Sequence, residues 1–390
     1  MTMKITSIEP RIMWAGDAGG ENFSSTLWSG GAGRNWLFVK IETDQDVHGW
    51  GEAALVVQTP TIAQAVTMLS PLLIGENPSN IEYLWQKMFL FHRYRGGVIL
   101  NSAISAIDQA LWDIKGKVLG APVYQLLGGA VRTRIRTYSG AGNLEQAKRL
   151  VDYGFTGIKT HSWYADNNLD ERKVIPWFQD HIAEMRQELG DEIDIMVDNH
   201  GRSRPSLAIR QIQAIKDYNL LFFEEPVPPD NIDVLKLIRE SRPTTDIATG
   251  ERYLNRWQFK DIIQKQLVDV IQPDICHCGG ISEMRRIASL AELYNIQVAP
   301  HNPKGPIATA ANLHVCAAIP NFLILEHVHP TPLFQEILTE TFQMKSGYYD
   351  LPSKPGLGID LDEDIIAANP VRLDRKVIEA YYNDGSPTHP

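Results

Sequence analysis

The stretch IDIMVD at residues 193–198 is a short apolar run that ends on an acidic residue, and similar runs recur along most of the chain. Longer segments of mixed polar and apolar residues separate these runs, which is typical of βαβ units and a parallel sheet. Eight such strands favour a closed (β/α)8 barrel over an open sheet, and no Gly-rich nucleotide fingerprint follows any of them. The predicted strands are RIRTYS (134–139), FTGIKTH (155–161), IDIMVD (193–198), LLFFE (220–224), DIATG (246–250), VDVIQP (268–273), IQVAPH (296–301) and FLILE (322–326).

The first 125 residues have a different texture. Strands are predicted at 3–8 and 36–43, and a turn at residues 44–47 followed by HGWGE indicates a hairpin that adds a third strand. Helices are predicted at 61–75 and 78–90. A further helix is predicted within 101–120, because Ile104, Ile107, Leu111, Ile114 and Val118 recur at helical spacing and Gly120 ends the pattern. An α+β domain therefore precedes the barrel.

The composition indicates an enzyme whose partner is a small molecule. The chain has 390 residues and a net charge of -10, which argues against a nucleic-acid partner or an anionic membrane surface. No signal-peptide or membrane-span pattern occurs, so we expect a cytoplasmic location. Three cysteines are too few for a disulfide framework. Zinc is not expected at Cys276-His277-Cys278 either, because no second ligand pair lies at a suitable spacing.

Acidic residues and one histidine follow the later strands at nearly constant intervals. They are Asp198, Glu224, Glu251, Asp274, His301 and Glu326, separated by 26, 27, 23, 27 and 25 residues. In a barrel, the carboxyl ends of the strands meet at one mouth, where active sites are built. Carboxylates so close repel one another unless a cation lies among them, and hard oxygen ligands suit Mg²⁺. Strand alternation turns one of Glu224 and Glu225 inward, and the sequence leaves open which.

Basic side chains accompany the acids. Asp198 and His200 share one side of their strand, as do Lys159 and His161 of an earlier strand, so both pairs can face the mouth. His301 with Asp274 has the parts of a general base and an orienting carboxylate. A loop-capping role for His200 or His161 is the alternative.

Two further segments are candidates for substrate contact. The segment FHRYRGG at 91–97 either ends a helix or forms a lip whose Arg95 grips a carboxylate. Gly16–Gly33 holds six glycines and several serines without periodicity, which indicates a mobile loop. We expect this loop to act as a lid, with Trp28 covering the site.

The chain resembles the enolase superfamily, in its mandelate racemase-like branch, and within that branch the sugar-acid dehydratases. The resemblance rests on DNHGR, FFEEPV, GERYLNRWQFK, VIQPDICHCGGISE, APHNPKGPIA and KPGLGIDLDED, with further matches through nearly the whole chain. Enolase-superfamily sites use a Lys or His base with magnesium. The resemblance implies a modified, enolase-type barrel with an N-terminal α+β capping domain at 1–125, the catalytic barrel at 126–345, and a C-terminal segment at 346–390 that returns to the cap. It also implies a homo-oligomer.

Carried over residue by residue, the resemblance implies Mg²⁺ ligands at Asp198, Glu224 and Glu251, which favours Glu224 over Glu225. It gives His301 with Asp274 the role of the base, and His200 that of the acid. Glu326 would support a substrate oxygen. The implied reaction removes the C2 proton of a galactonate-like aldonate and eliminates its 3-hydroxyl, giving a 2-keto-3-deoxy acid.

The chain departs from dehydratases of this kind at three places. Asn199 replaces an aromatic residue, His161 an asparagine, and Asn302 a cysteine. The long Gly16–Gly33 loop also differs. Three alternatives therefore stay open: a racemase or epimerase with Lys159 or His161 as second base, a cycloisomerase, and a regulatory relative with little turnover.

Overall fold

The computed structural model describes residues 2–16, 35–55, 58–91, 93–164, 168–329, 333–340, 342–373, 380–382 and 384–388. The first elements are strands β1 (Ile5–Trp14), β2 (Asn35–Thr43) and β3 (His48–Ala53), followed by helices α1 (Thr59–Leu69), α2 (Ile81–Leu90) and α3 (Val98–Leu119). The strands form an antiparallel sheet in the order β1-β2-β3. This confirms the predicted α+β region. None of the helices in the described ranges has both the length and the apolar character that a membrane span needs.

Helix α3 is the centre of this region. Its predicted apolar positions Ile104, Ile107, Leu111 and Ile114 are fully buried, whereas Val118 in the last turn is 43% exposed. Gly120 ends the helix in the left-handed conformation, at a φ of 64°, as the sequence predicts. The helix packs along β3 on one side and faces the barrel on the other, which lets it contact the loops that carry the site.

The remaining elements alternate between strands and helices. In chain order they are α4 (Val123–Leu126), β4 (Arg134–Gly140), α5 (Leu144–Tyr153), β5 (Gly157–His161), β6 (Asn168–Leu169), α6 (Glu171–Leu189), β7 (Asp194–Asp198), α7 (Pro205–Ala214), β8 (Phe222–Glu224), α8 (Ile232–Glu240), β9 (Ile247–Thr249), α9 (Arg256–Gln264), β10 (Val270–Ile271), α10 (Gly280–Glu292), β11 (Gln297–Val298), α11 (Pro306–Ala318), β12 (Leu325–Glu326), β13 (Tyr348–Asp350), α12 (Glu363–Ala368), β14 (Ala380–Tyr382) and β15 (Pro387–Thr388).

Eight parallel strands form the barrel. Their order is β11-β10-β9-β8-β7-β5-β4-β12, and a parallel bridge between Val298 and Phe322, just ahead of β12, joins the two ends. All eight strands overlap the predicted segments. Seven of them are shorter than predicted, and β4 is one residue longer because it extends to Gly140. The (β/α)8 barrel predicted from the sequence is confirmed.

The C-terminal segment contacts the N-terminal region. Trp14 donates its backbone N–H to Asn369, and Asp360 accepts hydrogen bonds from the Trp50 indole at 2.6 Å and the His48 ring at 2.9 Å. These contacts agree with a segment that returns to the cap. The boundaries at residues 125 and 345 stay a prediction.

Candidate active site

Side-chain alternation builds the site on top of the barrel core. Seven buried side chains fill the interior: Tyr138, Met196, Phe222, Ala248, Val270, Ala299 and Ile324. In an extended strand, the residue two positions later points to the same side. That position holds Asp198, Glu224, Gln272, His301 and Glu326. Polar groups therefore form the layer directly above an apolar plug, at the carboxyl ends of the strands.

Asp198, Glu224 and Glu251 form a group that can hold a metal. One carboxylate oxygen from each lies within 4.8 Å of the others. Asp198 Oδ2 and Glu224 Oε1 are buried without a hydrogen-bond partner in the described part of the chain. Burial, and then the charge of Asp198, raises the pKa of Glu224 to about 8. Three hard oxygen donors fit a divalent cation such as Mg²⁺, and of their atoms Asp198 Oδ2 faces the Lys159 ammonium at 3.2 Å, while Glu224 Oε1 has no hydrogen-bond partner within the described ranges.

Glu225 lies outside this group. Its backbone has a φ of 42°, and its carboxylate is 2.7 Å from Arg252 Nη2. Of the two adjacent glutamates, Glu224 is the one that the structure brings to the other carboxylates.

Lys159 lies among the carboxylates. Its Nζ is 3.0 Å from Glu224 Oε2, 3.0 Å from Glu326 Oε1 and 3.2 Å from Asp198 Oδ2, and its side chain is 1% exposed. Burial alone lowers the pKa of Lys159, but the surrounding carboxylates raise it well above its ordinary value. The residue is thus an ammonium group that offsets part of the negative charge.

His301 and Asp274 are brought into direct contact. His301 Nδ1 is 2.7 Å from Asp274 Oδ2, so Nδ1 carries a proton in both the neutral and the charged ring, and in the neutral ring Nε2 is the acceptor. Burial alone lowers the pKa of His301, but Glu251, Asp274 and Glu326 raise it above its ordinary value. The Nε2 atom is 3.2 Å from Glu251 Oε2 and so faces the carboxylate group.

Asp274 has further partners at the same oxygen. Lys304 Nζ is 3.1 Å from Oδ2 and His277 Nε2 is 3.3 Å from it, while Oδ1 accepts the Cys276 N–H. Burial alone raises the pKa of Asp274, but these groups and His301 hold it well below its usual range. Cys276 and Cys278 themselves are buried and free. The Cys-His-Cys segment therefore contacts the site through His277, and the expectation that it binds no zinc stays a prediction.

His200 approaches the carboxylates from β7. Its backbone N–H donates to Asp198 Oδ1 at 2.8 Å, and its ring Nδ1 is 3.4 Å from the same oxygen. The residue has a φ of 49°, and Arg252 donates to its carbonyl oxygen at 2.5 Å. A positive φ in a non-glycine residue beside a site is held by its surroundings at some cost.

Of the other predicted contact residues, His161 lies beside Asp198 in the β5–β7 ladder, Arg95 lies in a connecting segment, and Trp28 is not described. His161 is buried against the rings of Trp177 and His181 of α6, and burial lowers its pKa to about 3. Arg95 is exposed in the segment between α2 and α3. Trp28 and the Gly16–Gly33 loop beyond Gly16 lie outside the described residues.

Sequence reasoning missed Gln272. Its side chain is fully buried in the polar layer, and neither amide atom has a hydrogen-bond partner within the described ranges. The sequence signal for Gln272 is its position two residues after the inward-facing Val270. The prediction considered only the last polar residue after this strand, Asp274.

Comparisons with known proteins identify the family of the chain. Residues 143–365 match the family described as enolase C-terminal domain-like, and residues 32–128 match the mandelate racemase / muconate lactonizing enzyme N-terminal domain. The chain is 39% identical over 346 residues to the D-galactonate dehydratase of Cronobacter sakazakii, covering 85% of this chain and 90% of that protein. It is 40% identical over 344 residues to the enzyme of that name from Ralstonia pickettii, with the same coverage.

Two solved structures are similar over the whole chain. One is an enolase from Agrobacterium radiobacter, provisionally named a galactarate dehydratase, with bound sodium and L-malate. Its TM-score is 0.88 at 33% identity, covering 99% of each chain. The other is an enolase from Pantoea ananatis with bound D-gluconate and magnesium. Its TM-score is 0.89 at 28% identity, covering 100% of each chain.

Proposed function

The chain belongs to the mandelate racemase / muconate lactonizing enzyme family of the enolase superfamily, and from this we propose that it is a magnesium-dependent sugar-acid dehydratase. The observation that carries the proposal is a pair of histidines that approach one carboxylate group. His301 Nε2 is 3.2 Å from Glu251, and His200 Nδ1 is 3.4 Å from Asp198. Such a pair suits a dehydratase, because one histidine can take the C2 proton and the other can give a proton to the leaving hydroxyl.

Asp198, Glu224 and Glu251 would hold the metal. When bound, Mg²⁺ supplies positive charge that stabilises the substrate carboxylate as it gains negative charge. Lys159 and Glu326 lie next to this group, and we propose that Glu326 supports a substrate oxygen. The contacts of Lys159 favour a charge-balancing role, and its direct contact with substrate stays a prediction, as do those of His161, Arg95 and Trp28.

His301 acts as the base and His200 as the acid. His301 Nε2 accepts the C2 proton, while Asp274 keeps the ring oriented and stabilises its positive charge. The electron pair of the C2–H bond first moves into the substrate carboxylate, which gives an enediolate. This electron pair then forms the C2–C3 double bond as the C3–O bond breaks, and His200 donates the proton that makes the leaving hydroxyl a water molecule. The resulting enol transfers its proton and gains one at C3, giving a 2-keto-3-deoxy acid.

The substrate class is an aldonate of five or six carbons. The relatives named D-galactonate dehydratase and the solved enolase with bound D-gluconate support an aldonate. The solved enolase with bound L-malate, a dicarboxylic acid, is the reason to test dicarboxylic sugar acids beside the aldonates. Cytoplasmic location and homo-oligomeric assembly stay predictions from the sequence.

A product assay tests this function. The enzyme with Mg²⁺ would be incubated with a panel of C5 and C6 aldonates and dicarboxylic sugar acids, and products would be identified by NMR. A 2-keto-3-deoxy acid from an aldonate is the expected result. A C2 epimer would instead indicate an epimerase, and an isomer in which a ring has opened or closed would indicate a cycloisomerase. No turnover of any compound would indicate a binding relative.

A further inference from the structure

In the sequence, the buried residue Asn199 separates the proposed metal ligand Asp198 from the proposed acid His200. Asn199 has no exposed surface. Its Oδ1 accepts from Ser162 Oγ at 2.6 Å, Trp163 Nε1 at 3.0 Å and Ser203 Oγ at 3.1 Å. Its Nδ2 donates to the carbonyl oxygens of Glu225 at 3.2 Å and Pro226 at 2.9 Å. The amide is therefore saturated on both sides.

These partners fix the orientation of the amide. An indole N–H only donates and a backbone carbonyl only accepts, so Oδ1 must face Trp163 and Nδ2 must face Pro226. In the opposite orientation, the amide NH₂ would face the indole N–H of Trp163, and the amide oxygen would face the carbonyl oxygen of Pro226. Any residue that lacks one of the two functions leaves buried polar groups unpaired, which is costly.

The contacts join three segments that follow neighbouring barrel strands. Ser162 and Trp163 follow β5, Asn199 follows β7, and Glu225 and Pro226 follow β8. The backbone adds to this connection, since Asn199 N donates to Glu224 O at 3.0 Å and Gly201 N donates to Glu225 O at 2.9 Å. His200 thus stands between two residues that are both tied to the β8 segment.

We propose that Asn199 is a positioning residue that holds His200 in the orientation from which it protonates the leaving hydroxyl. The proposal rests on the proposed function, in which His200 is the acid. His200 has a φ of 49°, and the amide contacts on one side and Arg252 on the other hold its peptide in that conformation. Asn199 itself points away from the mouth, because alternation sends its neighbours inward.

The effect should be specific to the acid. His301 follows β11, and β8, β9 and β10 lie between it and β7 in the barrel, so the two histidines lie across the mouth from each other. The hydrogen bonds of Asn199 involve no atom of His301, Asp274 or Lys304. Disturbing Asn199 should therefore misplace the acid and spare the base.

The test uses Asn199→Asp, with Asn199→Ser as a second variant. Asp keeps the acceptor and replaces the donor with an oxygen that faces two carbonyls. The control is Asn321→Asp, because Asn321 Nδ2 also bridges two carbonyls, those of Ala288 and Ile296, on the segment that precedes β12. Folding is checked by circular dichroism, and if the Asp variant does not fold, Asn199→Ser carries the test.

The readout compares two rates in D₂O at saturating Mg²⁺, with an aldonate that the wild type dehydrates. One is dehydration, and the other is deuterium entry at C2 of recovered substrate. For the Asn199 variants we expect dehydration to fall about 10²-fold, as for a misplaced catalytic group, while C2 exchange persists. The Asn321 control should keep the wild-type ratio of exchange to dehydration.

Two results would overturn the inference. Either both rates fall by the same factor, which indicates a structural role, or neither changes. A wild type that dehydrates no sugar acid would instead refute the proposed function, and the inference would fall with it. A wild type that dehydrates, beside Asn199 variants with an unchanged ratio, refutes the inference alone.

Discussion

His301 Nδ1 lies 2.7 Å from Asp274 Oδ2, although the two residues are 27 positions apart and follow different strands. A parallel bridge joins their backbones, so the contact is part of the barrel itself. The other oxygen of Asp274 accepts the Cys276 N–H at 2.7 Å, which leaves the carboxylate little freedom to turn. The base is thus oriented by the fold before any ligand binds.

Metal removal should abolish turnover and leave the fold intact. The three carboxylates lie above the apolar interior of the barrel, whose packing does not depend on them. Chelation should therefore remove activity and preserve the circular dichroism spectrum, and added Mg²⁺ should restore the rate. An Mg²⁺ concentration of about 100 times its Kd should also raise the free energy of unfolding by about 2.7 kcal/mol.

Two variants sharpen the metal test. Asp198→Asn should lose the Mg²⁺-dependent stabilisation, whereas Asp191→Asn, at an exposed acidic residue, should keep it. Full activity after exhaustive chelation, with an empty site shown by metal analysis, would refute the metal site.

The N-terminal region should control the loop that carries the base. Glu52 of β3 accepts the backbone N–H of Gly305 at 2.6 Å and of Ala308 at 2.9 Å, at the start of α11. A Cβ at Gly305 would lie 2.8 Å from Glu52 Oε1. We expect Gly305→Ala to lower the free energy of unfolding by about 1–3 kcal/mol and to reduce kcat.

The matched control is Gly142→Ala. There the added Cβ would meet only the end of the Gln146 side chain, at 3.2 Å, and denaturant unfolding should give a much smaller loss. Equal losses in the two variants would mean that the Glu52 contact does not constrain the loop.

Acid should weaken the contact between the C-terminal segment and the N-terminal region. Burial alone raises the pKa of Asp360, but the His48 hydrogen bond and the Lys117 charge lower it to about 2. Because the folded pKa lies below the ordinary value of about 3.9, the stabilisation is present above pH 4 and is lost as the pH falls towards 2.

Asp360→Asn should therefore be less stable than the wild type at pH 7 and should lose less stability between pH 4 and 2. Denaturant unfolding across this range measures both slopes. Since the side chain is about one-third exposed, solvent screening keeps the effect small. Identical slopes would show that Asp360 is not the group responsible.

The sequence predicts the barrel and much of its site because both depend on local periods. Asp198, Glu224 and Glu326 each end an apolar run. The carboxyl ends of parallel barrel strands meet at one face, whatever the conformation of the connecting loops. The ends of the strands were predicted less accurately. Strands β10 and β11 have two residues each, whereas the predicted segments have six. Val118 shares the apolar spacing of the buried positions of α3 but is exposed in the last turn of the helix.

Contacts between distant residues were not predictable in this way. Glu52 meets Gly305 across 253 positions, and Lys304 reaches Asp274 from the next strand's loop. The spacing of residues within a strand or helix does not indicate which distant residues will form such pairs. Asn199 stood out in the sequence only as an unusual neighbour of His200. Its hydrogen bonds to Ser162, Trp163, Glu225 and Pro226 could be found only by knowing where the β5 and β8 segments end.

The division of labour between His301 and His200 is the central claim, and NMR of substrate recovered from D₂O tests it most directly. His301→Asn should stop both dehydration and C2 deuterium exchange, because no group then takes the C2 proton. His200→Asn should slow dehydration by about 10²–10⁴-fold, while His301 still exchanges the C2 proton. Metal content is checked in both variants, since His200 lies two residues from Asp198. A His200→Asn enzyme that dehydrates at the wild-type rate, or a His301→Asn enzyme that still exchanges C2 rapidly, would contradict the assignment of base and acid.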